Sequence, residues 1–146
     1  MSLALADEVR LVRAALDARE RAYAPYSKFR VGAALLLDDG SLVPGANVEN
    51  ASYGAGICAE RTALCSWRVS AATPARIVAV GVASDIVASP CPPCGICRQF
   101  LREFVALSTP IYMPLAGWKE GDKVEVRTLE QLLPLSFGPD DLDKQK

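Results

Sequence analysis

The sequence has no histidine among its 146 residues. Ser-His-Asp and Cys-His nucleophilic sites are therefore excluded, because both depend on an imidazole base. Any zinc site in this chain has to use cysteine or carboxylate ligands. Any general acid or base has to be Glu, Asp, Lys, Tyr or Cys.

The sequence also lacks an excess of positive charge and a long apolar run. Its 16 Lys and Arg residues against 17 Asp and Glu give a net charge of −1, which argues against a nucleic-acid partner and favours a small uncharged ligand. No window approaches the roughly 20 apolar residues of a membrane span. Residues 1–8 lack the basic flank and the long apolar run of a secretion signal. We therefore expect a cytoplasmic protein with no membrane partner.

Cysteine is present in an uneven pattern. There are five cysteines, and Cys91, Cys94 and Cys97 lie within seven residues of one another. A disulfide framework would tend to be even in number and spread along the chain, so clustered thiols favour metal ligands. Cys65 lies seven residues after Cys58, and we predict that it is a small buried apolar side chain rather than a ligand.

Apolar periodicity predicts helices that alternate with strands. Leu5, Val9, Val12 and Leu16 predict the apolar stripe of a first helix. Further helices are predicted at 58–69, 95–106 and after a capping box at 128–131, and strands at 31–37, 42–48, 77–82, 111–115 and 123–127. Such alternation predicts an α/β fold with helices on both faces of one sheet. We expect a single domain over residues 1–146, with 140–146 as a frayed tail.

Two short elements carry the chemistry, Cys58-Ala59-Glu60-Arg61 and Pro93 to Gln99 with its Cys94 and Cys97. Each is predicted where a loop becomes a helix, where unpaired N–H groups and the helix dipole favour thiolate, the form that binds zinc. Three cysteine ligands leave the fourth position of zinc open for water, whose pKa the metal lowers from about 16 to about 7.

Two neighbours of Cys58 complete this candidate centre. Glu60 is close enough in sequence to reach the water without being a ligand, and it could move protons between water and substrate. Three thiolates on Zn²⁺ leave a net charge of −1, and Arg61 is the candidate group that offsets it in the second shell of the zinc.

With these motifs the chain resembles the cytidine deaminase family of the small homotetrameric kind. Five ordered segments carry the resemblance: Pro25–Ala34, Gly45–Tyr53, Cys58–Ala63, Pro93–Gln99 and Leu132–Pro139. The resemblance implies a three-layer α/β/α sandwich with a mixed five-stranded sheet and one Zn²⁺ per subunit. It implies hydrolytic deamination of cytidine and deoxycytidine in pyrimidine salvage, by hydroxide attack at C4 with Glu60 protonating N3 and then the amino group. It also implies a homotetramer with active sites shared between subunits.

The resemblance also implies the substrate-binding residues, which are Phe29, Asn47, Glu49, Tyr53, Ala59 and Phe137. Asn47 and Glu49 would hydrogen-bond the ribose hydroxyls, and Phe29 would stack near the pyrimidine. The backbone N–H of Ala59 would hold the base carbonyl. Phe137 would reach into a neighbouring subunit's pocket, whose wall Tyr53 helps to build. On the residues alone, Phe29 also fits a core position and the Asn47 and Glu49 pair fits a solvated strand edge.

Several alternatives remain open at this point. Cys91 and Cys94 are also spaced as CxxC; we assign Cys94 and Cys97 because Gly95 and Arg98-Gln99 follow in the family's register. Cys91 could then compete for zinc or oxidise. The rival functions are deamination of a nucleoside-like antibiotic such as blasticidin S, deamination of cytosine in polynucleotides, and a non-enzymatic zinc or thiol-switch protein with four protein ligands.

Overall fold

The fold is seen in a computed structural model that describes residues 2–144. Its helices are α1 (Leu5–Arg19), α2 (Ala59–Val69), α3 (Gly95–Phe104), α4 (Leu129–Leu132) and α5 (Pro139–Asp143). Its strands are β1 (Val31–Leu37), β2 (Leu42–Ala46), β3 (Ile77–Ser84), β4 (Pro110–Met113) and β5 (Glu125–Thr128). None of the helices in residues 2–144 is long and apolar enough to cross a bilayer.

The strands form one mixed sheet in the order β2-β1-β3-β4-β5. Strand β1 pairs antiparallel with both β2 and β3, and β4 pairs antiparallel with β5. Strands β3 and β4 are parallel, because α3 carries the chain across one face between them. Pro44 lies in the edge strand β2, where its missing N–H removes no bond from the interior of the sheet. The predicted mixed five-stranded sheet is confirmed.

Apolar side chains on the two faces of the sheet form two cores. Leu35 and Val80 point into a core with α2 and α3, including Leu64 and Leu101. Alternate residues of the same strands, such as Leu36 and Ala79, face α1 instead. This alternation follows from the two-residue period of a strand. Helices therefore cover both faces, and the predicted three-layer α/β/α arrangement is confirmed.

Helix α1 exists as predicted, but its buried face is rotated from the predicted stripe. Leu11, Val12 and Ala15 are fully buried, whereas Leu5 is 71% exposed. The side chains of Leu11 and Ala15 pack directly over Gly81 of β3, which has no side chain to separate the helix from the sheet. Val9 and Val12 of the predicted stripe are buried, and Leu11, Ala15 and Ala18 make up the rest of the packed face.

Cys65 is exposed, so the prediction of a buried thiol was wrong. The buried residues of α2 include Ala63, Leu64 and Trp67. Each residue of a helix is turned by about 100° from the one before it, so Cys65 lies beyond the edge of this face. Its spacing from Cys58 was misleading, because Cys58 is at the helix cap and not on the packed stripe.

The last helix overlaps the segment that was predicted as a tail. Residues 140–143 belong to α5, and fraying of this segment stays a prediction. Pro139 suits the first turn of a helix, and the N–H of Gly138 donates to Asp141 Oδ2 at 2.9 Å. Residues 145 and 146 of the predicted tail lie outside the described part of the chain.

A close approach at Gly45 positions the start of α2. A Cβ at this residue would lie 2.5 Å from the carbonyl oxygen of Ala59 and 2.5 Å from the N of Ala63. Glycine therefore lets β2 lie directly against the first turn of α2. This contact brings the chain that follows β2 beside the residues around Cys58.

Candidate metal centre and active site

Two helix starts meet on the α2 and α3 face of the sheet, and each begins at a cysteine. Cys58 is the N-cap of α2 and Cys94 is the N-cap of α3, both with extended backbone angles. Cys97 lies in the first turn of α3 and is fully buried. The first N–H groups of a helix have no intrahelical acceptor, and the dipole is positive there. Both helices therefore favour negative charge at these sulfurs.

The three sulfur atoms lie close enough to share one metal ion. The Sγ atoms of Cys58, Cys94 and Cys97 are all within 4.8 Å of one another, and those of Cys58 and Cys94 are 3.8 Å apart. Tetrahedral Zn–S bonds of about 2.3 Å place two sulfurs about 3.8 Å apart, so this spacing fits zinc. Cys91 is not part of the group, although its half-buried thiol lies on the same loop.

A positive side chain lies against the sulfur cluster. Arg61 Nη2 donates to Cys58 Sγ at 3.5 Å. The pKa of Cys58 is lowered to about 5, first by a hydrogen bond from Cys97 and also by Arg61, against the opposing effect of burial. The pKa of Cys97 is raised, because the Cys58 thiolate holds its proton and because it is buried. A thiolate therefore forms readily at Cys58, where a cation would bind.

Glu60 lies beside the sulfurs in a nearly dry environment. It is 3% exposed, and Cys97 Sγ donates to its Oε2 at 3.6 Å. Burial is the main reason that its pKa is raised, and the negative charge of Cys58 adds to this. A carboxyl group with a raised pKa next to a metal site is suited to take up a proton and pass it on.

Asn47 and Glu49 both hydrogen-bond the segment before β1. Asn47 Oδ1 accepts from Val31 N at 2.9 Å, and Asn47 Nδ2 donates to Phe29 O at 2.9 Å. Glu49 Oε1 accepts from Tyr26 N at 3.0 Å and from Ser27 N at 3.1 Å. The two side chains therefore fix the loop that carries Phe29.

Ser27 joins these groups, and the sequence analysis missed it. Its hydroxyl donates to Glu49 Oε2 and accepts from Phe29 N at 3.0 Å. This hydrogen bond is the main reason that the pKa of Glu49 is lowered. The available signal was a hydroxyl residue two positions after Pro25, where side chains commonly bond to nearby backbone.

A cavity of about 250 Å³ opens beside this loop. Its lining residues are Tyr26, Ser27, Glu49, Asn50, Tyr53 and Gly56. The rings of Tyr26 and Tyr53 are 5.7 Å apart, and Tyr53 is 79% exposed. Val48 N donates to Ile57 O at 2.9 Å, and Ile57 precedes Cys58. Glu49 and Tyr53 therefore line one cavity, and the pairing of Val48 with Ile57 ties this segment to the residue before Cys58.

Ala59 and Phe137 occupy different surroundings. Ala59 is the first residue of α2, so its N–H is one of those that the helix leaves unpaired. Phe137 does not line the cavity. Its ring is 58% exposed and its carbonyl accepts from Gln99 Nε2 at 3.0 Å on α3. Within one chain, the predicted substrate-binding residues are therefore divided: Glu49 and Tyr53 line the cavity, whereas Phe137 lies beside α3.

The family relationship is given by comparison with known proteins. Residues 6–113 match the family model described as the cytidine and deoxycytidylate deaminase zinc-binding region. The chain belongs to the cytidine and deoxycytidylate deaminase family. The matched range contains all three clustered cysteines and Glu60, and it ends before Phe137.

Similar proteins extend this match over most of the chain. The cytidine deaminase of Halalkalibacterium halodurans is 45% identical over 137 residues, which is 94% of this chain and 98% of the relative. The crystal structure of cytidine deaminase from Burkholderia pseudomallei has a TM-score of 0.80 at 43% identity, covering 88% of this chain and 98% of that one. The Mycobacterium tuberculosis cytidine deaminase structure has a TM-score of 0.72 at 38% identity, covering 89% and 96%. The predicted deaminase fold is confirmed.

Proposed function

We propose that this deaminase-family chain hydrolyses cytidine and deoxycytidine to uridine and deoxyuridine, releasing ammonia, in a zinc-dependent reaction of pyrimidine salvage. The observation that carries the proposal is the meeting of three cysteine sulfurs, all within 4.8 Å of one another, beside the buried carboxyl of Glu60. Histidine is absent, so these cysteines are the soft ligands that the chain offers to zinc.

Cys58, Cys94 and Cys97 would hold one Zn²⁺ in each subunit. When bound, zinc supplies a Lewis acid that makes hydroxide available at neutral pH. Arg61 lies against Cys58 Sγ at 3.5 Å and offsets the excess negative charge of three thiolates. Three protein ligands would leave one coordination position of zinc to solvent, whereas a structural zinc knot has four protein ligands.

Glu60 would carry the protons of the reaction. A bond forms between the oxygen of the attacking water and C4 of the base, and the C4–N bond breaks. Glu60 would accept a proton from the water and donate it to N3. It would then take the second proton from the new hydroxyl on C4, as the C4=O bond forms, and donate it to the amino group, which leaves as ammonia. Its burial excludes bulk water, which would otherwise compete for these protons.

The remaining predicted residues would bind the nucleoside. Asn47 and Glu49 follow β2, and the side chains of both bond to the segment that leads into β1. From there they would hold the ribose hydroxyls. Phe29 would stack near the pyrimidine. The unpaired N–H of Ala59 at the start of α2 would donate to the carbonyl of the base.

The exposed rings support an assembly in which subunits complete one another's sites. Tyr53 and Phe137 are 79% and 58% exposed, although both are aromatic. Large exposed aromatics are often buried by a partner. We propose a homotetramer in which Phe137 enters a neighbour's pocket next to Tyr53. The clustered thiols suit a reducing compartment, so we place the protein in the cytoplasm.

The ultraviolet absorbance change on mixing purified protein with cytidine tests the proposal directly. We expect turnover of cytidine and deoxycytidine, loss of turnover with a chelator, recovery with zinc, and about one zinc per chain by metal analysis. Blasticidin S and single-stranded DNA serve as comparison substrates and should not be turned over. Preferred turnover of either one would replace the proposed substrate.

Zinc without any turnover would favour the non-enzymatic rival. In that protein a fourth ligand closes the metal site, and Cys91 is the nearest candidate in sequence. Replacing Cys91 by serine distinguishes the two cases, because zinc affinity falls only if Cys91 is a ligand.

A further inference from the structure

The C-terminal segment 132–140 is fastened along the helix that carries two of the clustered cysteines. Arg98 Nη1 donates to Leu132 O at 2.6 Å, and Arg98 Nε donates to Pro93 O at 2.7 Å. Gln99 Nε2 donates to Phe137 O at 3.0 Å. Helix α3 therefore holds both the loop before Cys94 and the segment that carries Phe137.

Arg102 is the most deeply buried of these anchoring groups. It is 8% exposed, a rare position for a guanidinium, which is costly to bury unless its donors are satisfied. Its Nε donates to Ser136 Oγ at 3.1 Å, and its Nη2 lies 3.5 Å from Asp140 Oδ2. These two partners lie on either side of Phe137 in the sequence.

Gly138 completes the contact between Arg102 and the segment. A Cβ on Gly138 would lie 2.3 Å from Arg102 Cζ, 2.5 Å from Nη1 and 2.6 Å from Nη2. The φ angle of Gly138 is −150°, which any residue can adopt. Glycine therefore leaves the space that the guanidinium occupies, and any side chain at this position would displace the guanidinium.

We propose that Arg102 is a positioning residue that sets the direction of Phe137. Through Ser136, Gly138 and Asp140 it fixes the backbone on both sides of this residue, while the ring itself stays exposed. The inference deepens the proposed function, because it assumes that Phe137 contributes to a nucleoside pocket. It attributes the placement of Phe137 to the contacts of the Arg102 side chain with Ser136, Gly138 and Asp140.

The arrangement has a kinetic signature. A ring on a fixed backbone is already ordered before substrate arrives, so binding does not have to order it. Releasing the segment makes substrate binding less favourable, while the chemistry at Glu60 and the sulfurs is left in place. A change that weakens binding of substrate and transition state equally raises KM and leaves kcat unchanged.

Arg102→Ala tests this signature in the full chain with zinc bound. We expect KM for cytidine to rise about tenfold, with kcat changed less than about twofold and zinc content unchanged. Arg68→Ala is the matched control, since Arg68 is an exposed arginine in the last turn of α2, and its KM should match the unmutated protein. An unchanged KM in a folded Arg102→Ala protein would overturn the inference.

Gly138→Ala tests the same contact without removing the buried arginine. We expect a rise in KM similar to that of Arg102→Ala, because the new methyl group displaces the guanidinium. In the double variant the methyl group has no guanidinium to displace, so its effect on KM should be much smaller than in the single variant. Fully additive effects would show that the two residues act independently and would overturn the inference. The Gly138→Ala variant alone keeps the test usable if Arg102→Ala folds poorly, because an unchanged KM in it would also overturn the inference.

Hydrogen exchange of the backbone amides separates this inference from the proposed function. Asp141 N donates to Gly138 O at 3.0 Å, so its amide reports whether the segment is held in place. We expect faster exchange at residues 137–141 in Arg102→Ala and not in Arg68→Ala. Release of the segment with no change in KM would overturn the positioning role. Absence of cytidine turnover in the unmutated protein would defeat the proposed function, while faster exchange would still establish the anchor.

Discussion

The candidate site has two halves that are built in different ways. The metal half consists of Cys58, Cys94, Cys97 and Glu60, all within the first turns or caps of two helices. The substrate half consists of side chains on irregular segments, such as the half-buried Glu49 and the exposed loop that carries Phe29. Helices that pack on a common core fix the metal half, whereas hydrogen bonds among its own members fix the substrate half.

This difference indicates where each kind of mutation should act. Helix caps and first turns hold the groups of the metal half in place, and burial keeps Glu60 and Cys97 away from bulk water, which suits bond breaking. In the substrate half, both oxygens of Glu49 already accept hydrogen bonds from Tyr26 and Ser27. A ribose hydroxyl that binds Glu49 would have to share these two carboxylate oxygens with Tyr26 and Ser27. Changes in the metal half should therefore lower kcat, and changes in the substrate half should mainly raise KM.

Glu60→Gln should give the largest effect. The amide keeps the shape of the side chain but cannot take up and deliver protons, so we expect kcat to fall on the order of 10³-fold or more. Zinc content by metal analysis and the circular dichroism spectrum should stay unchanged. Glu103→Gln, an exposed carboxylate on α3, is the matched control and should keep full activity. Normal turnover by Glu60→Gln would remove Glu60 from the mechanism.

Glu49→Gln should act on the substrate half. The neutral amide is a weaker acceptor for ribose hydroxyls and for the loop amides, so we expect KM to rise about 10- to 100-fold with a smaller change in kcat. Steady-state kinetics with cytidine measures both constants. Ser27→Ala removes the hydrogen bond to Glu49 Oε2 and the acceptor for Phe29 N, but keeps the Glu49 carboxylate, and should give a milder rise in KM. A pure loss of kcat in Glu49→Gln would break the proposed division between the two halves.

Asp85→Asn should weaken the support of the Phe29 loop. Asp85 accepts from Arg30 N, Nε and Nη2 at 2.9, 3.2 and 2.9 Å, and its pKa is lowered chiefly by the Arg30 side chain. A depressed folded pKa stabilises the protein above the unfolded pKa of about 3.9, and this stabilisation is lost as pH falls through the folded value.

We therefore expect Asp85→Asn to lower the free energy of unfolding by about 1 kcal/mol at pH 7, because the ion pair is partly exposed. Denaturant unfolding at several pH values measures the difference, which should shrink towards zero as the pH falls through the lowered pKa of Asp85. Asp17→Asn, an exposed carboxylate on α1, should show no such pattern. A difference that persists in acid would show that the role of Asp85 is not electrostatic.

Cys65→Ser should have the smallest effect. Its thiol is exposed on α2, so we expect unfolding free energy within about 0.5 kcal/mol of the unmutated protein and unchanged zinc content. Cys97→Ser is the informative contrast, because that sulfur is fully buried in the cluster. Loss of zinc in Cys65→Ser would place it in the metal half, against the structure.

The sequence predicted those features that depend on local pattern. Strand β1 matches its predicted range, and the capping box at Thr128 and Gln131 opens α4 as expected. The cysteines were predicted at helix starts, and there the caps place them. These features depend on residues a few positions apart, so the chain's local chemistry was enough to find them.

The features that were missed depend on contacts distant in sequence. Ser27 gains its role from Glu49, and Arg102 gains its role from Gly138, 36 positions away. Cys65 was misplaced because the packed side of α2 is decided by the sheet beneath it. Spacing within one segment carries no information on which partner will face it. The roles of the substrate-binding residues came from family resemblance and stay predictions.

Helix α3 has a mechanical consequence of its own. Cys94 caps the N-terminus of α3, and Arg102 lies eight residues further along the helix, a distance of about 12 Å. If the helix tilted about its midpoint by about 10°, the Cys94 sulfur and the Arg102 guanidinium would move about 1 Å in opposite directions. A shift of Cys94 at the cation would therefore move Arg102 at the other end of α3, and with it the C-terminal segment that Arg102 holds.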